Sequence, residues 1–178
     1  SILENIHTGV YEYFRKQSYP IDPPSFPLVV VIFENETDFD EFAALPDGIL
    51  AYYDTISNHV VMYEKSKLGE SAPNLAHNQA MSTVAHEGVH QALHNIGIQQ
   101  RLSRWPAWLS EGLPEYFAPT TKGNDMRWKG VGQVNDLRLL QLQRHLRGGD
   151  DRQQRLSDTL RGARLDSGGY ANGWALTR

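Results

Sequence analysis

The chain has 178 residues, of which 17 are Lys or Arg and 21 are Asp or Glu, giving a formal net charge of -4 with neutral histidines. This length can bury a substantial core as one domain, and the acidic balance argues against the broad basic face that nucleic-acid binding requires. Cysteine is absent, which excludes a disulfide framework and a thiolate metal site but leaves the compartment open. We therefore expect one domain over residues 1–178 that does not bind nucleic acid.

The first third of the sequence predicts a helix followed by strands. Apolar residues recur at helical spacing over residues 4–14, and a proline-rich segment then ends the helix. Residues 28–33 are a continuous apolar, β-branched run, which predicts a central, buried strand. A short helix is expected over residues 37–42. The apolar runs at 49–53 and 59–63 flank a polar turn and predict a β-hairpin.

A long helix is predicted after a loop rich in Ser, Gly and Pro at residues 66–77. It covers residues 78–95. A second helix is expected from Pro106, a residue that suits a first helical turn. Pro114 inside this helix lacks a backbone N–H and crowds the preceding turn, at a cost of about 3 kcal/mol in a straight helix. We therefore expect a kink or a restart near Glu111.

The last part of the sequence is predicted to be mostly helical. Residues 134–146 and 153–160 predict two helices that close a lower lobe, and a final helix begins over 170–176. No apolar stretch approaches the ~20 residues that cross a bilayer. Because the sequence lacks an initial Met and stops soon after the last predicted helix begins, we expect further chain after Arg178. A soluble protein is expected, with an extracytoplasmic or secreted location favoured.

The centre of the long predicted helix carries the motif His86-Glu87-Gly88-Val89-His90. On a helix, a four-residue step leaves the two imidazoles roughly 40° apart and about 6 Å along the axis, so both rings can reach one ion. Glu87 is close enough to take a proton from a water that the metal activates. The motif predicts a zinc site with His86 and His90 as ligands and Glu87 as the general base.

A third ligand is needed, because catalytic zinc usually takes three protein ligands and leaves the fourth position to water or substrate. Candidates downstream, besides the aspartates, are His94, Glu111, Glu115 and His145. Glu111 is favoured because its flanks are amphipathic enough for a helix packed against the first. Glu115 and His94 stay open as alternative ligands, each with a supporting or surface role as its simpler interpretation.

Together the two motifs resemble those of the gluzincin metallopeptidases. Residues 85–90 and 106–117 are similar to the pattern Ala-His-Glu-x-x-His followed by Pro-x-Trp-Leu-x-Glu-Gly-Leu-x-Glu-Tyr-Phe in a bacterial gluzincin-like family of unknown function. The resemblance implies an α+β, zincin-like fold. In it, a small mixed sheet with an antiparallel edge hairpin packs on the active-site helix within residues 1–98, and a mostly helical lobe follows over 99–178.

The resemblance also implies zinc as the cofactor and a peptide or protein as the substrate. Residues 170–176 are similar to the segment in which aminopeptidase-like gluzincins keep a tyrosine that donates to the oxyanion, which gives Tyr170 a catalytic role. The predicted hairpin edge would pair with extended substrate, although an ordinary edge strand is an equal alternative. The Gly-x-Met-Glu-Asn motif of aminopeptidases has no counterpart in this sequence, so an endopeptidase is favoured.

The sequence therefore predicts a zinc metallopeptidase that hydrolyses peptide bonds. Two alternatives stay open. One is a non-catalytic metal-binding or scaffold module derived from a peptidase, which a closed shell of four protein ligands would favour. The other is a zinc hydrolase that acts on a different amide bond.

Overall fold

A computed structural model describes residues 1–46, 48–121, 127–147, 151–162 and 165–178. These residues form a mixed α+β fold in which helices surround one small sheet, as expected from the sequence. The strands are β1 (Val29–Asn35), β2 (Ala51–Asp54) and β3 (His59–Lys65). The helices are α1 (Ile2–Lys16), α2 (Glu36–Ala43), α3 (Lys67–Ser71), α4 (Pro73–Asn95), α5 (Ala107–Phe117), α6 (Asp136–Arg147), α7 (Arg152–Arg161) and α8 (Ser167–Thr177).

The sheet has the strand order β1-β3-β2. β2 and β3 form the expected hairpin, in which Tyr53 lies opposite Val60 in an antiparallel ladder. The turn between them contains Asn58 in the left-handed region, at φ 63°. β1 runs parallel to β3 on its other side, with Val29 opposite His59. β2 is therefore an edge strand, and it faces the long helix α4.

The expectation that residues 28–33 form a central, buried strand is wrong in its placement. The strand exists as β1 but lies at the other edge of the sheet, where Val29 and Ile32 are 42% and 59% exposed. One face of β1 is partly covered, where Val31 and Phe33 pack against the cluster around Phe39 of α2. An apolar run indicates a strand, but its position in the sheet depends on pairing with β3, which is not a local property of the sequence.

The main core lies between α1 and α4. α1 begins with a capping box between Ser1 and Glu4, and it confirms the helix predicted over residues 4–14. Its buried face meets the middle of α4 and the end of α5 in a cluster that includes Ile6, Val10, Phe14, Ala85, Val89, Leu93 and Phe117. This packing fixes the rotation of α4 about its axis, and with it the position of the face that carries the predicted metal ligands.

The segment expected to be a loop at residues 66–77 instead contains α3 and the first residues of α4. Ser66 accepts a hydrogen bond from the backbone N–H of Gly69 and caps α3, and Pro73 lies in the first turn of α4. Ser and Pro are typical of helix starts as well as of loops, which explains the wrong prediction. No helix within the described ranges is long and apolar enough to cross a membrane.

α5 and α8 approach each other closely enough for their backbones to touch. A Cβ added to Gly112 would lie 2.5 Å from the carbonyl oxygen of Gly173, and one added to Gly173 would lie 2.9 Å from that of Trp108. Of the kink or restart expected near Glu111, the restart does not occur, because α5 continues through Pro114 as one helix. The helices predicted over 134–146, 153–160 and 170–176 are confirmed as α6, α7 and α8.

Candidate metal centre

Three of the predicted ligands converge at the junction of α4 and α5. One donor atom from each of His86, His90 and Glu111 lies within 4.8 Å of the others. Glu111 Oε2 is 3.1 Å from His86 Nε2 and 3.5 Å from His90 Nε2. In the described part of the chain, no other group of three or more His, Asp or Glu side chains is arranged in this way. These residues could hold a metal ion.

The electrostatics of this group favour a positive charge between its members. Burial lowers the pKa of His86, but hydrogen bonds to Glu111 and Glu115 outweigh that effect and raise the pKa to about 10. Burial also acts to raise the pKa of Glu111, whereas its contacts with His86 and His90 hold that pKa well below its usual range. Without a metal, the proton on His86 balances the negative charge of Glu111 and Glu115. A bound divalent ion would supply positive charge in place of that proton.

Glu115 contacts the far side of His86 and does not belong to the group of three. Its Oε1 lies 3.1 Å from His86 Nδ1 and also accepts from Arg138 Nη2, while its Oε2 accepts from Asn135 Nδ2 at 2.7 Å. A proton on Nδ1 of His86 leaves Nε2 directed at Glu111, which is the tautomer that metal ligation needs. Glu115 therefore orients His86, and the alternative that it is itself a ligand is not supported.

Glu87 lies beside the group and is held by the edge strand. The backbone N–H of Tyr53, in β2, donates a 2.8 Å hydrogen bond to Glu87 Oε2. Burial raises the pKa of Glu87, although the neighbouring His86 and His90 act in the opposite direction. A buried carboxylate with a raised pKa is a better proton acceptor than an exposed one.

Tyr170 reaches the same place from α8. Its ring centroid is 6.2 Å from that of His86, and its phenol lies near enough to Glu111 for that carboxylate to affect the phenol's pKa. The guanidinium carbon of Arg138 lies 4.8 Å from the ring centroid of Tyr170. Burial, followed by the charge of Glu111, raises the pKa of Tyr170, so the phenol stays a donor. The backbone contact of Gly112 with Gly173 brings α8, and with it Tyr170, against Glu111.

His94 lies one turn beyond His90 but outside the group of three. Its ring stacks on Tyr53 with the centroids 5.4 Å apart. Burial, together with the charges of His90 and Arg101, lowers its pKa to about 4. His94 therefore packs against β2, the strand whose Tyr53 contacts Glu87. Its position outside the group of three argues against the alternative that it is a ligand.

A family model described as a protein of unknown function, DUF1570, matches residues 80–178, which is more than half of the chain. The chain belongs to the DUF1570 family. The part that defines DUF1570 begins inside α4 and includes all three members of the metal group, Glu87 and Tyr170. No curated protein and no solved structure is significantly similar to the chain. The sequence motifs had indicated a family of unknown function, and this match agrees with that part of the expectation. Membership in such a family assigns no activity.

A partly buried polar network that the sequence did not indicate joins the hairpin of this DUF1570 protein to α4. Asn58 and Asn95 exchange two side-chain hydrogen bonds of 3.0 and 2.7 Å, and the hydroxyl of Tyr53 donates to Asn58 Oδ1 at 3.0 Å. Gln91 donates to the backbone carbonyls of Val29 and Asn58. The network fixes the distance between β2 and α4, and hence the position of Tyr53 beside Glu87.

A cavity of about 600 Å³ opens beside the metal group in this DUF1570 chain. His86, Glu87 and Tyr170 lie at its inner end, and Ala51 of β2 forms part of its wall. The cavity gives an extended molecule access to Glu87 and to one of the imidazoles. Arg138 and Asn135, which hold Glu115, line it as well; nothing in the sequence pattern had marked either of them.

Proposed function

We propose that this DUF1570 protein is a zinc-dependent peptidase. The observation that carries the proposal is the convergence of His86, His90 and Glu111 within 4.8 Å, next to Glu87 and at the inner end of a cavity. Two imidazole nitrogens and one carboxylate oxygen are a donor set typical of catalytic zinc. The group contains three protein donors, which favours an open fourth position over a closed structural site.

The chemistry that zinc supplies at such a site is the activation of water and the polarisation of the substrate carbonyl. Glu87 takes one proton from the attacking water as the oxygen–carbon bond forms. It then passes that proton to the leaving amine as the carbon–nitrogen bond breaks. The hydrogen bond from Tyr53 holds one carboxylate oxygen of Glu87 in place during both transfers.

Tyr170 donates a hydrogen bond to the carbonyl oxygen of the substrate as negative charge develops there. Its raised pKa keeps the proton on the phenol at neutral pH, which a donor requires. Such a donor stabilises charge that is present only in the transition state, so it increases the rate of the chemical step.

The edge strand supports a peptide substrate over a different amide. The N–H of Tyr53 points to Glu87 and therefore away from β3. In an antiparallel ladder, the N–H and C=O of one residue point to the same side, and alternate residues do likewise. Ala51 thus directs its backbone donor and acceptor to the open edge, where they can pair with extended peptide backbone.

The test is the Glu87→Gln variant, with exposed Glu70→Gln as its matched control. We expect Glu87→Gln to retain zinc at the wild-type ratio and to lose peptide hydrolysis by a factor of about 100 to 10,000, because the side chain keeps its size but no longer accepts a proton. The measurement combines elemental analysis with cleavage of a peptide library. Hydrolysis at the wild-type rate by Glu87→Gln would show that the general-base assignment is wrong.

A further inference from the structure

The cavity beside the metal centre continues along the N-terminal half of α4. Its floor there is formed by Leu75, Asn78, Gln79, Ser82 and Thr83. These positions recur at helical spacing and form one face of α4 that ends at His86. From residue 75 to residue 86 this face extends about 16 Å along the helix axis. We call this part of the cavity the α4 channel.

The two sides of the α4 channel come from different elements. Residues 48–51, which lead into β2, line it, and so do Leu137 and Arg138 of α6. A groove between a chain segment with open backbone groups and a helix suits an extended peptide rather than a globular ligand. At about 3.3 Å per residue, a length of about 16 Å accommodates about five extended residues.

Among the described lining residues, the titratable side chains of His86, Glu87, Glu115 and Arg138 all belong to the metal centre or to the contacts that hold it. Glu87 belongs to the metal centre, and Arg138 is paired with Glu115. The α4 face beyond His86 presents amides, hydroxyls and one leucine. A charged substrate side chain that packs against that face would give up part of its hydration without meeting an opposite charge there, which is unfavourable compared with a neutral side chain.

The α4 face also offers hydrogen bonding to neutral groups. The amide of Gln79 is exposed and lines the channel, so it can donate to and accept from an amide or hydroxyl of a substrate. Leu75, at the outer end, is 52% exposed and can contact an apolar side chain.

We propose that the α4 channel binds an uncharged, extended peptide segment of about five residues on one side of the scissile bond. Neutral hydrogen-bonding and small apolar side chains are accepted, and acidic and basic ones are rejected. The inference rests on the proposed peptidase function and narrows its substrate class.

The experiment begins with a cleaved peptide from a library digested by the zinc-loaded protein. Asp or Lys is then placed singly at each position around the scissile bond, and kcat/KM is measured. On one side, either charge within about five positions should lower kcat/KM about tenfold or more, because a charge is desolvated without a partner. Equal tolerance of charges on both sides, with cleavage intact, would overturn the channel inference and leave the peptidase proposal standing.

Gln79→Lys provides a second, independent readout. Gln79 lines the channel and is exposed, so the variant should fold. It should recover cleavage of an Asp-containing peptide about tenfold, because the new ammonium gives the carboxylate a partner. Gln17→Lys, at the end of α1 and outside the cavity, is the matched control and should recover nothing. Equal recovery by both variants would overturn the inference.

A binding measurement separates the two proposals if no peptide is cleaved. Fluorescently labelled neutral, acidic and basic peptides are titrated into the zinc-loaded Glu87→Gln protein, and anisotropy is recorded. Selective binding of the neutral peptides, weakened by Gln79→Lys, supports the channel even though the peptidase proposal has failed. Binding of none of them, or of all equally, overturns the channel inference as well.

Discussion

Replacing Glu115 by Gln tests how the site orients His86. Both carboxylate oxygens of Glu115 accept hydrogen bonds, from His86 and Arg138 on one side and from Asn135 on the other. A glutamine has one acceptor oxygen and one donor group, so one of these donors must face an N–H₂. The variant keeps the size of a buried side chain but weakens the support of His86 and leaves Arg138 without its ionic partner.

We expect this change to weaken zinc binding by a factor of about 10 to 100, the range typical when a partner of a metal-ligating histidine is altered. This corresponds to about 1.4 to 2.7 kcal/mol of binding free energy. Asn135→Ala keeps the carboxylate and its ion pair, so it should reduce the affinity less. Glu111→Gln removes the ionised side chain of a proposed ligand and should reduce the affinity more than either.

The assay is a competition titration of zinc between the protein and a chromophoric chelator at fixed pH and salt. Glu70→Gln serves as the exposed control, and circular dichroism establishes that each variant is folded. An affinity within about twofold of wild type for folded Glu115→Gln would refute the orienting role, since the expected loss is at least about tenfold. A loss as large as that of Glu111→Gln would indicate that Glu115 is itself a ligand.

Three further perturbations test the geometry around the site. Gly173→Ala should lower the free energy of unfolding by about 1–3 kcal/mol in urea denaturation, because the new Cβ lies 2.9 Å from a carbonyl oxygen of α5; a change below about 0.5 kcal/mol would argue against a tight contact. In metal-free protein, burial lowers the pKa of His86 but its carboxylate partners raise it to about 10, above the unfolded value near 6.5. That contribution to stability is complete below pH ~6.5 and is lost as pH rises through ~10, so the melting temperature should fall across this window, and a rise would contradict it. Asn58→Gly keeps the left-handed turn but removes the side-chain hydrogen bonds to Tyr53 and Asn95. If Glu87 is the general base that we propose, kcat should fall severalfold while the zinc affinity stays within about twofold of wild type. An unchanged kcat would show that the network does not position Glu87.

The metal group could be predicted from sequence because its geometry is mostly local. The four-residue step between His86 and His90 fixes their relative positions on any helix. The third ligand lies on the next predicted helix, after a short connection, but the sequence leaves two candidate carboxylates there. Glu111 and Glu115 lie one helical turn apart, so the rotation of α5 about its axis decides which of them faces both imidazoles. That rotation is set by α8 packing on Gly112, which no local pattern reveals.

The parts that sequence analysis missed depend on contacts between residues far apart in the chain. The position of β1 at the sheet edge depends on β3 pairing between β1 and β2. Arg138 and Asn58 carry no motif, and their roles arise only when α6 meets Glu115 and the hairpin turn meets Asn95. Local periodicity predicts helices and strands, whereas these side-chain pairs depend on tertiary packing.

The metal content of the purified protein tests the central proposal most directly. Elemental analysis would compare the wild type with His86→Ala and Glu111→Ala, with exposed His77→Ala as the matched control. We expect about one zinc per chain in the wild type and in His77→Ala, and loss or strong weakening in the other two variants. Retention of zinc by Glu111→Ala, or a wild type free of metal after chelator-free purification, would contradict the proposed site.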